Sequence, residues 1–250
     1  MELIPLPKTV DIKRRSDAEA DIIIEPCYPG YGTTIGNALR RVLLSSMQGA
    51  AITYVQIKGI THEFTSLPHV KEDIVELMLN LKGIRVKLHA DEADIELHVK
   101  GEKTAKAKDI KANSDVEVIN GDHVIATLTD KDATLDMTLH VEKGKGYVPV
   151  EMQKAEGREL GTIALDAIFT PIKNVNYSVE HVRVGEITNF DRLTLSITTD
   201  GSLSPEDAFQ ASSTVLLEHF AFFTKTTVEP EEPVIEKKKR TSKKATEPAE

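Results

Sequence analysis

Hydrophobic and polar residues alternate along much of the chain with the two-residue period of a half-buried strand. In ATLDMTLHVE, Leu135, Met137, Leu139 and Val141 alternate with Asp136, Thr138, His140 and Glu142. The same period runs through DIELHVK at Ile95, Leu97 and Val99, VNYSV at Val175, Tyr177 and Val179, and RLTLSI at Leu193, Leu195 and Ile197. A strand with one apolar and one polar face belongs to an antiparallel sheet with a wet side. The pattern therefore predicts a mostly antiparallel molecule, with His98 and His140 on polar faces.

Three segments switch to helical spacing. In TTIGNALRRVLLSSM, residues Ile35, Ala38, Leu39, Val42 and Leu43 repeat at i, i+3, i+4, i+7 and i+8, with Thr33 or Thr34 placed to cap the start. At about 100° per residue, Asn37, Arg41, Leu44 and Gln48 share the opposite face. A leucine beside an arginine there is either one of the isolated exposed leucines every surface carries or part of a contact. In HVKEDIVELMLNLKG, residues Val70, Ile74, Leu77, Met78 and Leu81 form one face, Gly83 ends the helix, and Lys82 stands in its last turn, where a cation suits the helix dipole. A third helix starts at SPEDAF with Ser204 as N-cap, Pro205 at N1 and Asp207 at N3. It is apolar on two sides: Phe209, Leu216, Phe220 and Phe223 on one, Ala208, Ala211, Val215 and Phe222 on another. Its own sheet covers one side, and a second subunit is the simplest cover for the other.

Composition narrows the classes. With 250 residues, 40% hydrophobic and 28% charged, the chain is an ordinary folded protein of one or two domains. Its net charge of −9 is the wrong sign for a surface that coats nucleic acid. Residues 229–250 hold six acidic and six basic side chains and no aromatic residue, which reads as a disordered, solvated tail and leaves the whole −9 on residues 1–228. The single cysteine, Cys27, fits a reducing compartment, and no apolar run is long enough to span a bilayer. With no signal-peptide pattern at the start, these predict a cytoplasmic protein without a membrane partner.

Candidate chemistry is sparse. The segment ADIIIEPCYPGYGTTIGNALRR runs strand, glycine turn, helix, which invites phosphate binding, but the spacing of Gly30, Gly32 and Gly36 is not G-x-G-x-x-G and no G-x-x-x-x-G-K-[ST] exists. A nucleotide-binding enzyme using the Gly30–Gly36 turn is the alternative this leaves. The eight histidines make no metal-ligand pattern and Cys27 has no neighbouring base, so no catalytic or metal-binding residue is assigned. The chemistry favours a protein that works by presenting surfaces.

Four ordered motifs carry a resemblance: IGNALRRVLLSSM, EDIVELMLNLKG at 72–83, GYVP at 146–149, and DAIFTPIKNVNYSVEHVRVG at 166–185. Together they resemble the alpha subunit of bacterial-type DNA-directed RNA polymerase. The resemblance implies an α+β, two-part module. Residues 1–48 and 173–228 would form a dimerisation subdomain of antiparallel sheet plus two helices, and residues 49–172 an inserted, mostly β subdomain, followed by the tail. It implies a homodimer that nucleates assembly of the beta and beta prime catalytic subunits in the bacterial cytoplasm or nucleoid. The nucleotidyltransferase chemistry, with magnesium and any zinc, would reside in those partners, and DNA would be met only through the assembled complex. Carried over by motif, Arg41 and Leu44 face beta, Lys82 faces beta prime, and Ile35, Leu39, Val215, Phe222 and Phe223 lie at the dimer interface. Two departures stand out: the loop CYPGYG lacks a charged pair that many relatives carry, and the family's small helical C-terminal domain is not present in this chain.

Overall fold

A computed structural model of the chain describes residues 4–111, 113–153 and 161–226, with backbone only at 225 and 226. The tail expectation for 229–250 lies outside these residues. The chain opens with β1 (Thr9–Ser16), β2 (Glu19–Cys27), α1 (Tyr31–Ser46), β3 (Gln48–Ile57) and α2 (Ile74–Lys82). Short strands β4 (Val86–Leu88), β5 (Glu92–Lys100), β6 (Lys103–Lys106), β7 (Ile110–Lys111), β8 (Val116–Val118) and β9 (Val124–Leu128) lead to the long β10 (Thr134–Lys145). After β11 (Tyr147–Val148), β12 (Thr162–Ala164) and β13 (Ala167–Ile168), a hairpin of β14 (Ile172–Val184) and β15 (Ile187–Thr199) precedes α3 (Pro205–Thr226).

Two antiparallel sheets organise the molecule. Four strands order as β1-β2-β15-β14, so the start and end of the chain meet in one sheet. Alternation decides its faces: Ala20, Ile22 and Ile24 of β2 and Leu193, Leu195 and Ile197 of β15 point inward and are buried. Helices α1 and α3 cover that side, with Leu39, Leu43 and Ala208 closing the core. The second sheet orders as β7-β5-β10-β3-β4-β8 with β12 also paired to β3. Its core gathers Ile95, Leu97, Leu135 and Leu139 with Ile74, Leu77 and Leu81 of α2. The described residues are thus α+β, and none of their helices is long and apolar enough to cross a membrane.

Several local expectations change. α1 begins at Tyr31, ahead of both threonines, with Gly30 at the N-cap in the left-handed region (φ 83°) and no side-chain cap from that residue. α2 begins at Ile74, because Asp73 takes the cap and accepts from the Glu76 N–H at 2.7 Å. Val70 therefore precedes the helix and bridges to Leu128. At α3, Ser204 Oγ accepts from the Asp207 N–H (3.1 Å) and donates to the Asp207 carboxylate (2.7 Å), as the capping pattern requires. His140 is buried, although it belongs to the polar phase of β10. Its register partners are Tyr54 and Asp94: the ring stacks on Tyr54 at 4.2 Å, and its Nδ1 lies 2.6 Å from Asp94. A central strand gives its outer face two neighbours, here the stacked Tyr54 ring on one side and Asp94 on the other.

Candidate assembly surfaces

The α1 surface depends on how tightly the helix is drawn onto its sheet. A Cβ on Gly36 would stand 2.7 Å from the Tyr177 ring and 2.8 Å from Leu193 Cδ1, so only glycine allows this approach. The N-terminus is fixed from across the sheet. The Asp191 carboxylate, 2% exposed, accepts from the N–H groups of Gly30 (2.8 Å) and Gly32 (3.1 Å). This carboxylate occupies the donors that a phosphate would need. The nucleotide reading of the Gly30–Gly36 turn is thereby corrected, because the anion at this helix end is the chain's own. Cys27 is buried nearby, and burial with the Asp191 charge pushes its thiol above the ordinary range.

With Gly32, Gly36, Leu39 and Leu43 turned inward, Asn37, Arg41 and Leu44 turn outward. Neighbouring arginines are used differently. Arg40 Nε donates to the Val175 carbonyl at 3.2 Å and so braces α1 against β14. The Arg41 guanidinium makes no hydrogen bond or ion pair among the described residues, and Leu44, one turn on, is 41% exposed. An uncommitted planar donor beside an exposed leucine joins charge-assisted bonding to apolar area, the composition of an interface anchor.

Lys82 sits in a different setting. It is the last residue of α2, whose terminal carbonyls are bound by side chains from the β8–β9 connection: His123 Nε2 lies 2.8 Å from the Asn80 carbonyl, and Asn120 Nδ2 donates to that of Gly83 at 2.9 Å. The Lys82 ammonium donates to Asp166 Oδ2 at 3.0 Å and lies 5.3 Å from the centre of the Tyr147 ring. Asp166 Oδ1 also accepts from the Val150 N–H at 3.1 Å. The Lys82 bond, then the Val150 N–H and the Tyr147 hydroxyl, hold the Asp166 carboxyl below the usual carboxylate range. Three of the four motifs separated in sequence, at 72–83, 146–149 and 166–185, therefore converge on one cluster. Beside it an open groove of about 550 Å³ runs between α2 and β12, rimmed by Phe64, Val75 and Leu79.

The expected dimer residues divide. Leu39 is covered by its own chain, and Ile35 is half-buried against the same core. On α3, Pro205, Ala208 and Ser212 are buried and Phe209 and Leu216 are half-buried, so its first three turns lie on the subunit. Toward its C-terminal end the helix is more exposed: Val215 is half-buried, while Leu217, Phe220, Phe222 and Phe223 are exposed.

Sequence reasoning missed Asp191, Asp166 and Tyr147. Asp191 had a signal, since it falls in the inward phase of Leu193, Leu195 and Ile197, where a carboxylate must find partners. Asp166 and Tyr147 lay inside quoted motifs with nothing local to tie them to Lys82, 84 residues from Asp166.

Taken together, the geometry is that of an α+β scaffold whose distinctive residues stand on outer helix faces and at a helix end. The RNA polymerase Rpb3/RpoA insert domain family matches residues 55–170, which make most of the seven-stranded sheet with α2. The chain is 46% identical over 220 residues to a DNA-directed RNA polymerase subunit alpha of Geobacter metallireducens, covering 87% of this chain and 64% of that protein. It is 46% identical over 201 residues to the subunit of the same name from Alkaliphilus oremlandii, covering 80% and 63%. This chain belongs to the family of bacterial RNA polymerase alpha subunits. It spans just under two thirds of the length of these relatives.

Proposed function

We propose that the chain serves as the alpha subunit of a DNA-directed RNA polymerase, a non-catalytic homodimeric scaffold on which the beta and beta prime subunits assemble in the cytoplasm. The observation that carries this reading is the contrast on α1. Arg40 is bonded within its own chain, whereas Arg41 and Leu44, in the motif shared with the family, stand outward without a partner among the described residues. Beta is assigned to that face. Beta prime is assigned to the end of α2, where Lys82 is presented with Tyr147 and Asp166 beside the groove. A second copy is assigned to the exposed aromatic end of α3.

Nucleotidyl transfer, with magnesium and any zinc, is assigned to the large subunits, and DNA is reached through the assembled complex. Native mass spectrometry of the purified chain mixed with beta and beta prime tests the reading. The expected species holds two copies of this chain with one of each large subunit. Failure of the folded chain to retain either large subunit overturns it.

A further inference from the structure

The chain crosses from the four-stranded to the seven-stranded sheet at 47–49 and returns at 169–172. On the way out, Met47 is buried with Leu39 and Leu43 of α1, and Gln48 already pairs with Lys145 of β10. On the way back, Ala167 and Ile168 pair with β11, and Ile172 pairs with Thr199 of β15. Phe169 stands at this return, 6% exposed, in a small cluster with Ala51 and Ala167 that is separate from both large cores.

Its seat is a notch made by two glycines. Gly49 of β3 and Gly144 of β10 are register partners, side by side in the sheet. A Cβ on Gly144 would stand 2.6 Å from Cδ2 and Cε2 of the Phe169 ring. One on Gly49 would collide with the Phe169 carbonyl oxygen and stand 3.2 Å from Pro171 Cδ. Neither glycine has a positive φ, so what each supplies is room. The backbone is held at the same place, because the N–H groups of Phe169 and Thr170 both donate to the Gly146 carbonyl, at 2.9 and 3.2 Å. The two crossings are thus packed against each other through one aromatic residue. The sheets also face one another across a crevice of about 170 Å³, with Ala50 and Val86 on one side and Ser202 and Leu203 on the other, which is space for tilt. A hinge is a few residues at element ends that absorb a change of angle, and a large side chain packed into both crossings removes that freedom.

We infer that Phe169 is a positioning residue: seated in the Gly49–Gly144 notch, it fixes the angle between the two sheets. With that angle it sets the spacing of the outer face of α1, carried by the four-stranded sheet, and the end of α2, carried by the seven-stranded sheet. Two partners that bind both faces at once then meet a scaffold already in the bound arrangement, and the freedom between the faces need not be given up on assembly. This rests on the assembly reading and adds how one chain holds its two faces in register.

The test places maleimide spin labels at Glu76→Cys on α2 and Glu180→Cys on β14, both exposed positions, while the native Cys27 is buried. The labelled chain is refolded with excess unlabelled chain, so that a dimer holds one labelled copy, and the distance is read by pulsed electron paramagnetic resonance. The expected result is one narrow distance in the chain with Phe169 intact and a broad distribution in Phe169→Ala. Gly144→Ala, a single methyl at a half-buried strand position, is the second variant: it drives the ring from its seat and shifts the distance. A narrow, unshifted distance in either folded variant overturns the inference. Native mass spectrometry of the same substitutions, without labels, reads the consequence. Phe169→Ala keeps beta alone, while the complex holding beta and beta prime together falls relative to it. A full complex formed in the usual amount by a variant whose distance has broadened overturns the positioning role. An unmutated chain that holds neither large subunit overturns the assembly reading, and the distances still decide whether Phe169 sets the angle.

Discussion

Around the seven-stranded sheet the chain supplies its own cover: α2 buries Ile74, Leu77 and Leu81 into it, its N-terminus is capped by the preceding Asp73, and its C-terminal carbonyls are bound by Asn120 and His123 from the β8–β9 connection. Around the four-stranded sheet the cover is thinner among the described residues: Val10 and Ile12 of β1 and Leu217, Phe220, Phe222 and Phe223 of α3 are exposed. The two regions are equally antiparallel and equally regular in their alternation. Their difference lies in where the apolar surface goes. The seven-stranded region leaves few apolar side chains of its core elements at the surface, whereas the four-stranded region leaves large apolar residues of β1 and α3 there.

Four substitutions break or sharpen that contrast, in falling order of their effect on stability or dimer affinity. Leu139→Ala, in the closed core, removes a fully buried side chain and should cost 2 to 5 kcal/mol of unfolding free energy by denaturant titration, with the dimer unchanged where the chain still folds. Phe222→Glu, in the open region, should do the reverse. The fold survives, and the dimer dissociation constant rises by a factor of about 30 or more, as for an interface anchor, by sedimentation. Asp191→Ala removes the cap that ties α1 to β15 and should cost about 1 to 2 kcal/mol.

Lys82→Met has the smallest effect, under about 1 kcal/mol, since the ion pair is partly exposed. Its signature is in pH. The Asp166 carboxyl is held low in the folded state, so its contribution is present above the ordinary carboxylate value of about 3.9 and disappears as pH falls through the lowered one. The stability gap between the unmutated chain and Lys82→Met, measured by thermal melts, should therefore close as the medium is acidified below about pH 4. A constant gap down to pH 2 would mean that Lys82 acts through packing alone.

Much of this was legible in the sequence because period and capping are local. The alternation of Leu135 to Val141 and of Leu193 to Ile197 gave the right faces, and Ser204, Pro205 and Asp207 gave the start of α3. The outward position of Arg41 and Leu44 followed from the 100° step. What was hidden depends on contacts between distant segments. Asp191 caps a helix 161 residues away from it in sequence, which no threonine spacing near Thr33 reveals. His140 is covered because strand pairing brings Tyr54 and Asp94 to either side of it. The exposure of Val10 and Ile12, although they pair with the buried Ile24 and Ile22, is visible only once α1 and α3 have been laid over the other strands.

The central claim is that the outer face of α1 is held rigid by its own chain in order to meet another protein. It is tested most directly on Arg41→Ala, with melting temperature, dimer mass and capture of the beta subunit measured on one preparation. The account predicts a dimer whose stability is within about 0.5 kcal/mol of the unmutated chain but which no longer captures beta, while Arg40→Ala, which breaks the bond to Val175, melts earlier. A folded Arg41→Ala dimer that captures beta normally would contradict it.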